Sequence, residues 1–304
     1  MYSHYVSNTR RGKAENRLNP QNEVAPIHPS FRIVKDLATD LSKGEVSFPT
    51  FINATLKIHR VLNDPQVAAD RVARTISSEP LLAAKLVQLA NSAALGASGK
   101  PIGDIKGAVL RVGYSNVHAI AATVAMAQLV VAKEMQPFLK SSEAVWAHSL
   151  DVATIAFVVA RKLTKLNADE ALFAGLLHDI GRFYLLSRLP KYPELIADPV
   201  ALEAVLDEWH ASVGHAVLGT FGLTDSVLNA VAEHESTQHC KTPKTLSDVI
   251  VVANLLSKSP NPLNSYDANL PPVKTVDGPD MIELATMLDA SAEELTSLVA
   301  ALRA

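Results

Sequence analysis

Ala174-Gly175-Leu176-Leu177-His178-Asp179-Ile180-Gly181 reads as an apolar helix that ends in a glycine, with a histidine and an aspartate in its last turn. The pair offers one neutral nitrogen and one anionic oxygen. A single divalent ion can take both, or the aspartate can bridge two ions. Neighbouring residues on a helix point about 100° apart, so the two side chains converge only in a short terminal turn. The same pair can also cap a helix or bond within a core. By itself it leaves both readings open.

The surrounding composition sets the frame. The chain has 304 residues, of which 48% are apolar and 19% charged, so it can bury a sizeable core. A formal charge of -3 and a pI near 6.4 argue against a broad nucleic-acid footprint. The single cysteine, Cys240, excludes an internal disulfide framework and suits a reducing compartment. No uninterrupted apolar run reaches the ~18 residues of a membrane span, and the N-terminus has no apolar signal core. These features predict a cytoplasmic protein with no membrane segment. Aromatic residues are 5%, and alanine and leucine dominate the apolar set. Both are strong helix formers, and no stretch alternates in the strand manner, so the expected fold is all-α.

Residues 1–29 form an expected flexible tail, with Pro20, Pro26 and Pro29 and no apolar period. Residues 30–136 read as a first helical lobe without candidate ligands. Residues 137–260 read as a second helical lobe, after a break at Gln136-Pro137. Residues 261–304 read as a Pro- and Asn-rich loop followed by a C-terminal helical extension with Leu284, Leu288, Leu295, Leu298 and Val299 facing inward. Within the second lobe, helices are predicted over 143–163, 168–180, 199–221 and 247–258. Another, capped by Asp225, ends near Glu235.

The second lobe holds His148, His178, His210, His215, His234 and His239. Four of these, His148, His178, His210 and His234, fall on four different predicted helices. A helical metal site is assembled in that way, each helix lending one or two side chains to a shared interior point. The alternative is that each histidine bonds separately to local backbone. Glu235 is better placed to reach an ion than Glu233, and His215 and His239 are weaker candidates. His118 reads as a hydrogen-bonded core histidine. Asn254, within Val251-Val252-Ala253-Asn254-Leu255, is an amide on an apolar helix and needs partners, such as a histidine or an ordered water.

Taken in order, these residues resemble the HD-related output domain (HDOD) family, a divergent branch of the HD/HD-GYP metal-dependent phosphohydrolase superfamily. The resemblance runs from about Leu41 to Asn254. It rests on Ser78-Glu79-Pro80-Leu81-Leu82, Lys85 to Ser92 with its Leu89-Ala90-Asn91-Ser92, and Ile105 to Gly113. It continues through Trp146-Ala147-His148-Ser149, Gly175 to Gly181, His210 to Gly214, and His234. It implies a two-lobed helical fold whose second lobe is HD-like.

The resemblance also implies a ligand set of His148, His178, Asp179, His210, His234 and Glu235, with His178 and Asp179 at the catalytic centre. Asn254 stands where the family pattern closes with an aspartate, and Glu235 where it has a second histidine. No Gly-Tyr-Pro follows, since Ser236-Thr237-Gln238 stands there. The implied cofactor is one or two divalent transition ions: Fe, Zn, Ni or Mn. Two functions are compatible with these departures. One is a bacterial signal-transduction or regulatory domain with little hydrolysis, whose partner is a signalling protein or a small phosphorylated ligand. The other is a phosphohydrolase acting on a nucleotide or cyclic dinucleotide. Lys85 and Arg182 are the basic residues available to steady a phosphate, and both read as surface charges.

Overall fold

The computed structural model describes residues 29–43, 57–58, 60–62, 64, 66–91, 101–236, 243–257, 281–293 and 295–296. Among these no strand occurs, and the chain is all-α as its composition requires. The longer helices are α1 (Pro29–Ser42), α2 (Ala69–Ser77), α3 (Pro80–Ala90), α4 (Ile105–Val112), α5 (Tyr114–Val130) and α6 (Leu139–Leu163). They continue with α7 (Ala168–Leu177), α8 (Ile180–Arg188), α9 (Pro199–Gly219), α10 (Asp225–Glu233), α11 (Leu246–Leu256) and α12 (Met281–Asp289).

Local chemistry sets these boundaries. Pro80 and Pro199 open α3 and α9, where a missing N–H costs nothing. Asn167 caps α7 by accepting from the amides of Asp169 and Glu170. Thr245 and Asp248 form a reciprocal capping box at α11. Thr224, rather than the expected Asp225, caps α10, accepting from the amide of Val227.

Two hydrophobic cores result. The smaller gathers Val72, Ile76, Leu86, Val109 and Val117 from α2 to α5. Asn91 fastens it: its side chain accepts from the Ile102 amide at 2.8 Å and donates to the Ile102 carbonyl at 2.8 Å. The Leu-Ala-Asn segment thus has a structural task, clamping the end of α3 to the approach to α4. The larger core is built on α6 and α7 and includes Val152, Ala156, Phe173, Leu176, Phe183 and Val231. Helix α1 packs on it through Ile33 and Leu37, and α12 through Leu284 and Leu288. Leu295 is partly buried against the same core, whereas Leu298 and Val299 lie outside the described residues. The segment Lys133–Leu163 is long and apolar enough by composition to cross a membrane, but it is mostly buried in this core.

Glycines let the second lobe close. A Cβ on Gly175 would lie 2.5 Å from Ala153 Cα, so α7 crosses α6 backbone to backbone. Gly181 does not end a helix, contrary to the sequence reading. The apolar helix stops at Leu177, and Gly181 lies in the first turn of α8. Its lack of a side chain serves packing. A Cβ there would overlap the His210 carbonyl oxygen and lie 2.7 Å from the Gly214 amide nitrogen of α9. Backbone atoms cannot swing aside as a side-chain tip can, so a methyl group must part α8 from α9.

Gly181→Ala is therefore expected to lower the unfolding free energy by about 2–3 kcal/mol, the scale of core overpacking, despite alanine's better helix propensity. Gly219→Ala, where a methyl meets nothing within 4 Å, is expected to be neutral or stabilising by up to about 1 kcal/mol. Urea denaturation of both variants checks the contrast. Equal stability of the two variants would contradict the close crossing.

Candidate metal centre

His178 and Asp179 fill the junction between α7 and α8. His178 keeps helical geometry, while Asp179 turns to φ -98°, ψ 15°, and its carbonyl accepts from the Arg182 amide at 3.0 Å. This break solves the convergence problem of two adjacent residues. Asp179 Oδ2 comes 3.6 Å from His178 Nε2, while Oδ1 lies 3.6 Å from His210 Nε2 and 3.5 Å from His234 Nε2. Each carboxylate oxygen faces a different set of histidines.

Three of those rings are oriented by backbone. His178 Nδ1 donates to the Gly175 carbonyl at 2.7 Å, His210 Nδ1 to Leu206 at 2.8 Å, and His234 Nδ1 to Val231 at 2.7 Å. A carbonyl only accepts, so each ring carries a proton on Nδ1 and turns Nε2 inward. A ligating histidine needs this arrangement, with one nitrogen fixed and the other offered. His148 closes the row. Ring centroids run 5.3 Å from His148 to His178, 5.0 Å from His178 to His234 and 5.0 Å from His234 to His210. All four histidines and Asp179 are buried.

The donors fit a cation. His178 Nε2 is fully buried and has no hydrogen-bond partner, a state that costs about 1–3 kcal/mol unless something binds it. His210 and His234 bring their Nε2 atoms within 3.0 Å, so two lone pairs would face each other without a proton or a metal ion nearby. Two groups, His148/His178/Asp179 and Asp179/His210/His234, each place three ligand atoms within 4.8 Å of one another. Asp179 is common to both.

Electrostatics follow from this crowding. Burial drives His178 down to about 3, with His234 and His148 adding to the depression and Asp179 opposing it. Burial alone would raise Asp179, but Arg182, then His178 and the other histidines, hold it well below the usual carboxylate range. For His234 the penalty of burial is outweighed by Asp179 and Glu235, which raise it. Burial would also raise Glu235, yet His210 and His234 pull it below its ordinary value.

The remaining sequence candidates divide clearly. Glu235 reaches the centre, with Oε1 3.5 Å from His210 Nε2 and 3.6 Å from His234 Nε2, and it is partly open to solvent. Asn254 joins as well: Oδ1 lies 3.0 Å from His148 Nε2, and Nδ2 donates to the His234 carbonyl at 3.3 Å. His118 is partly buried and meets Phe173 edge-on at 5.9 Å. His239 lies outside the described residues, and Lys85 belongs to α3 in the smaller core's lobe.

Arg182 is no surface charge. It is fully buried, with Nε 3.1 Å from Asp179 Oδ1, one terminal nitrogen 2.9 Å from Asp207, and the other 3.5 Å from His210 Nε2 and 3.7 Å from Glu235. Ser257, Asp151 and Asp207 were not anticipated. Ser257 Oγ donates to Asp151 at 2.7 Å and lies 3.3 Å from His148 Nδ1. The available clue was spacing. Asp151 follows His148 by three, and Asp207 precedes His210 by three, which places each on its histidine's face.

Residues 48–237 match the HDOD domain family model, and the chain belongs to that family. A protein of Treponema pallidum (strain Nichols) with no assigned function is 25% identical over 237 residues, covering 72% of this chain and 44% of that one. Ribonuclease Y of Chlorobium chlorochromatii (strain CaD3) is 36% identical over 112 residues, covering 37% of this chain and 17% of the enzyme. The chain thus spans less than half of these relatives. A crystal structure from Shewanella amazonensis SB2B, classed by inference as a metal-dependent phosphohydrolase, superposes with a TM-score of 0.62 at 22% identity. The superposition covers 91% of this chain and all of the other. That likeness extends to the fold.

The depression of His178 gives a signed pH dependence. Between pH 6.5 and about 3 the unfolded chain takes up a proton that the native ring refuses, so stability falls as pH falls through that window. One such group contributes at most about 1.4 kcal/mol per pH unit. Asp179 adds a loss of the same sign at lower pH, and His234, being raised, works the other way. In metal-free protein, His178→Gln should lose about 2 kcal/mol less than wild type between pH 6.5 and about pH 4.5. Urea denaturation at the two pH values measures this. Identical slopes would show that His178 does not titrate as described.

Proposed function

We propose that the chain is a metal-dependent phosphohydrolase of the HD type, acting on a phosphodiester of the nucleotide or cyclic-dinucleotide class within a signalling protein. One observation carries this reading. Buried histidine Nε2 atoms converge on the two oxygens of one carboxylate, and that of His178 has no hydrogen-bond partner. A core built only for stability gains nothing from such an arrangement. The similarity to ribonuclease Y, an enzyme that by its name cleaves RNA, supports a phosphodiester as the substrate class.

His178, Asp179, His210, His234 and Glu235, with His148 beside them, offer donors for one or two ions of Fe, Zn, Ni or Mn. Such an ion supplies Lewis-acid polarisation and acidifies water. Asp179 spans the two histidine sets. Arg182, locked between Asp179 and Asp207, presents a fixed guanidinium beside the centre and can offset phosphate charge without rearranging. The accessible approach lies along Glu235 and Asn254, the more exposed members of the set. The buried histidines behind them exclude bulk water from the reacting phosphate.

One observation favours a second reading, in which the domain binds metal or a phosphorylated ligand and signals without turnover. Asn254 removes an anion from the cage and is already engaged with His148. Untagged protein loaded with Mn²⁺, Fe²⁺ or Zn²⁺ and offered linear and cyclic phosphodiesters separates the two. Hydrolysis is expected in wild type. It should fall about 100-fold or more in Arg182→Ala, the scale of losing a positioned charge at a transition state, and be partly kept in Arg182→Lys. His178→Ala should abolish it. Metal-loaded wild type that turns over none of these substrates would leave the regulatory reading in place.

A further inference from the structure

His148 is unlike the other three histidines. They commit Nδ1–H to a backbone carbonyl and leave Nε2 with its lone pair. His148 Nε2 instead faces the Asn254 amide at 3.0 Å. The orientation of that amide is fixed, because Nδ2 must donate to the His234 carbonyl at 3.3 Å, and Oδ1 is therefore the atom turned to His148. An amide oxygen only accepts, so His148 carries its proton on Nε2 and has no lone pair there for a metal. Its Nδ1 lies 3.3 Å from Ser257 Oγ, whose proton goes to Asp151 at 2.7 Å. Nε2 is therefore committed to a protein acceptor, and Nδ1 faces Ser257.

Counting donors on each side of Asp179 then gives an unequal result. On the Oδ1 side stand His210 Nε2, His234 Nε2, Oδ1 itself and Glu235 Oε1, all within 3.0–3.6 Å of a neighbouring donor in the set. On the Oδ2 side only Oδ2 and His178 Nε2 remain once His148 is discounted. Two donors are too few to hold a divalent ion without help.

Charge points the same way. Arg182 is shared among Asp179, Asp207 and Glu235, and its one positive charge against their three negative ones leaves two. Two negative charges balance one divalent ion. Asn254 is neutral, and Asp151 accepts from Ser257, which lies on the Nδ1 side of His148. A second ion would bring two charges with no further carboxylate among the donors to meet them.

We infer that this chain, in the absence of a phosphate ligand, holds a single ion between Asp179 Oδ1, His210, His234 and Glu235, and that His148 is a clamp joining α6 to α11 rather than a ligand. The inference rests on the metal-binding part of the proposed function and not on turnover. His178 and Asp179 Oδ2 form a half-site that substrate oxygens would complete.

The test is metal stoichiometry of untagged full-length chain, reconstituted with Mn²⁺, dialysed and measured by plasma mass spectrometry, with circular dichroism to confirm folding. Wild type, His178→Ala and His148→Gln should each retain one ion per chain, and His210→Ala and His234→Ala should lose it. Asn254→Asp should take up a second ion, because a carboxylate supplies the missing charge and, unable to donate to the His234 carbonyl, can turn to the ion as a donor and release His148 Nε2. Adding His148→Gln to Asn254→Asp should return the count to one. Paramagnetic resonance should show isolated Mn²⁺ in wild type and a coupled pair in Asn254→Asp. Two ions or none in wild type would overturn the inference, as would loss of the ion from folded His148→Gln. One ion without hydrolysis leaves it standing and removes the hydrolase reading, whereas two ions with hydrolysis does the reverse.

Discussion

A carboxylate buried without any exposure is the constraint on which the second lobe is built. Asp179 is ionised, and an isolated charge in such a place would cost far more than a domain's net stability. Its neighbours make it tolerable. Arg182 supplies the opposite full charge from one turn along the same helix, and His178, His210 and His234 surround the two oxygens. Arginine suits the task better than lysine. Its planar fork reaches Asp179, Asp207, Glu235 and His210 from one position, where an ammonium would serve fewer. Removing one member of such a buried pair strands the other, typically at about 3–5 kcal/mol. The centre is thus both a candidate reactive site and a structural knot.

Backbone proximity makes the knot achievable. Asp179 and His210 meet only because α8 and α9 cross at Gly181 and Gly214, with the His210 carbonyl where a side chain on Gly181 would be. Gly175 does the same for α7 on α6. With the helices that close, His178, His210 and His234 can turn their rings inward while tying Nδ1 to a carbonyl three or four residues earlier. Helix geometry sets this reach, and it removes most of the rotational freedom of the rings before any ligand binds. The donors are arranged by the fold rather than gathered by an ion.

Much of this was legible in the sequence, for identifiable reasons. Alanine and leucine at helical spacing, with prolines and polar caps between, leave little alternative to an all-α chain. Histidines on otherwise apolar helices need partners, and mutual convergence supplies them. Two misreadings share one cause: a short-range rule was overridden by a contact between distant segments. Gly181 looked like a helix stop because glycine often is one, but it is an interior glycine demanded by α9. Arg182 looked exposed because arginine usually is, yet Asp207 and Glu235 receive it from elsewhere in the chain. Asn254 was recognisable as an amide in need of partners. That it would hold one histidine by the ring and another by the carbonyl depended on how α11 lies against α6 and α10, which no local pattern encodes.

The smaller core bears on the site through one helix. α5 contributes Val117, Ile120 and Ala121 to that core and Ala119, Ala122, Ala125, Met126 and Leu129 to the larger one. Its hydrophobicity has almost no directional bias for this reason: one flank serves each core, so it is apolar nearly all round. From α5, His118 rests edge-on against Phe173 of α7, five residues before His178. A helix packed on two sides cannot shift relative to one core without disturbing the other, because close-packed interiors transmit displacement rather than absorb it. The first lobe contributes no donor among the described residues that form the centre, yet it shares the helix that bears on α7. That shared helix gives a lobe without chemistry a mechanical connection to the junction where His178 and Asp179 are set.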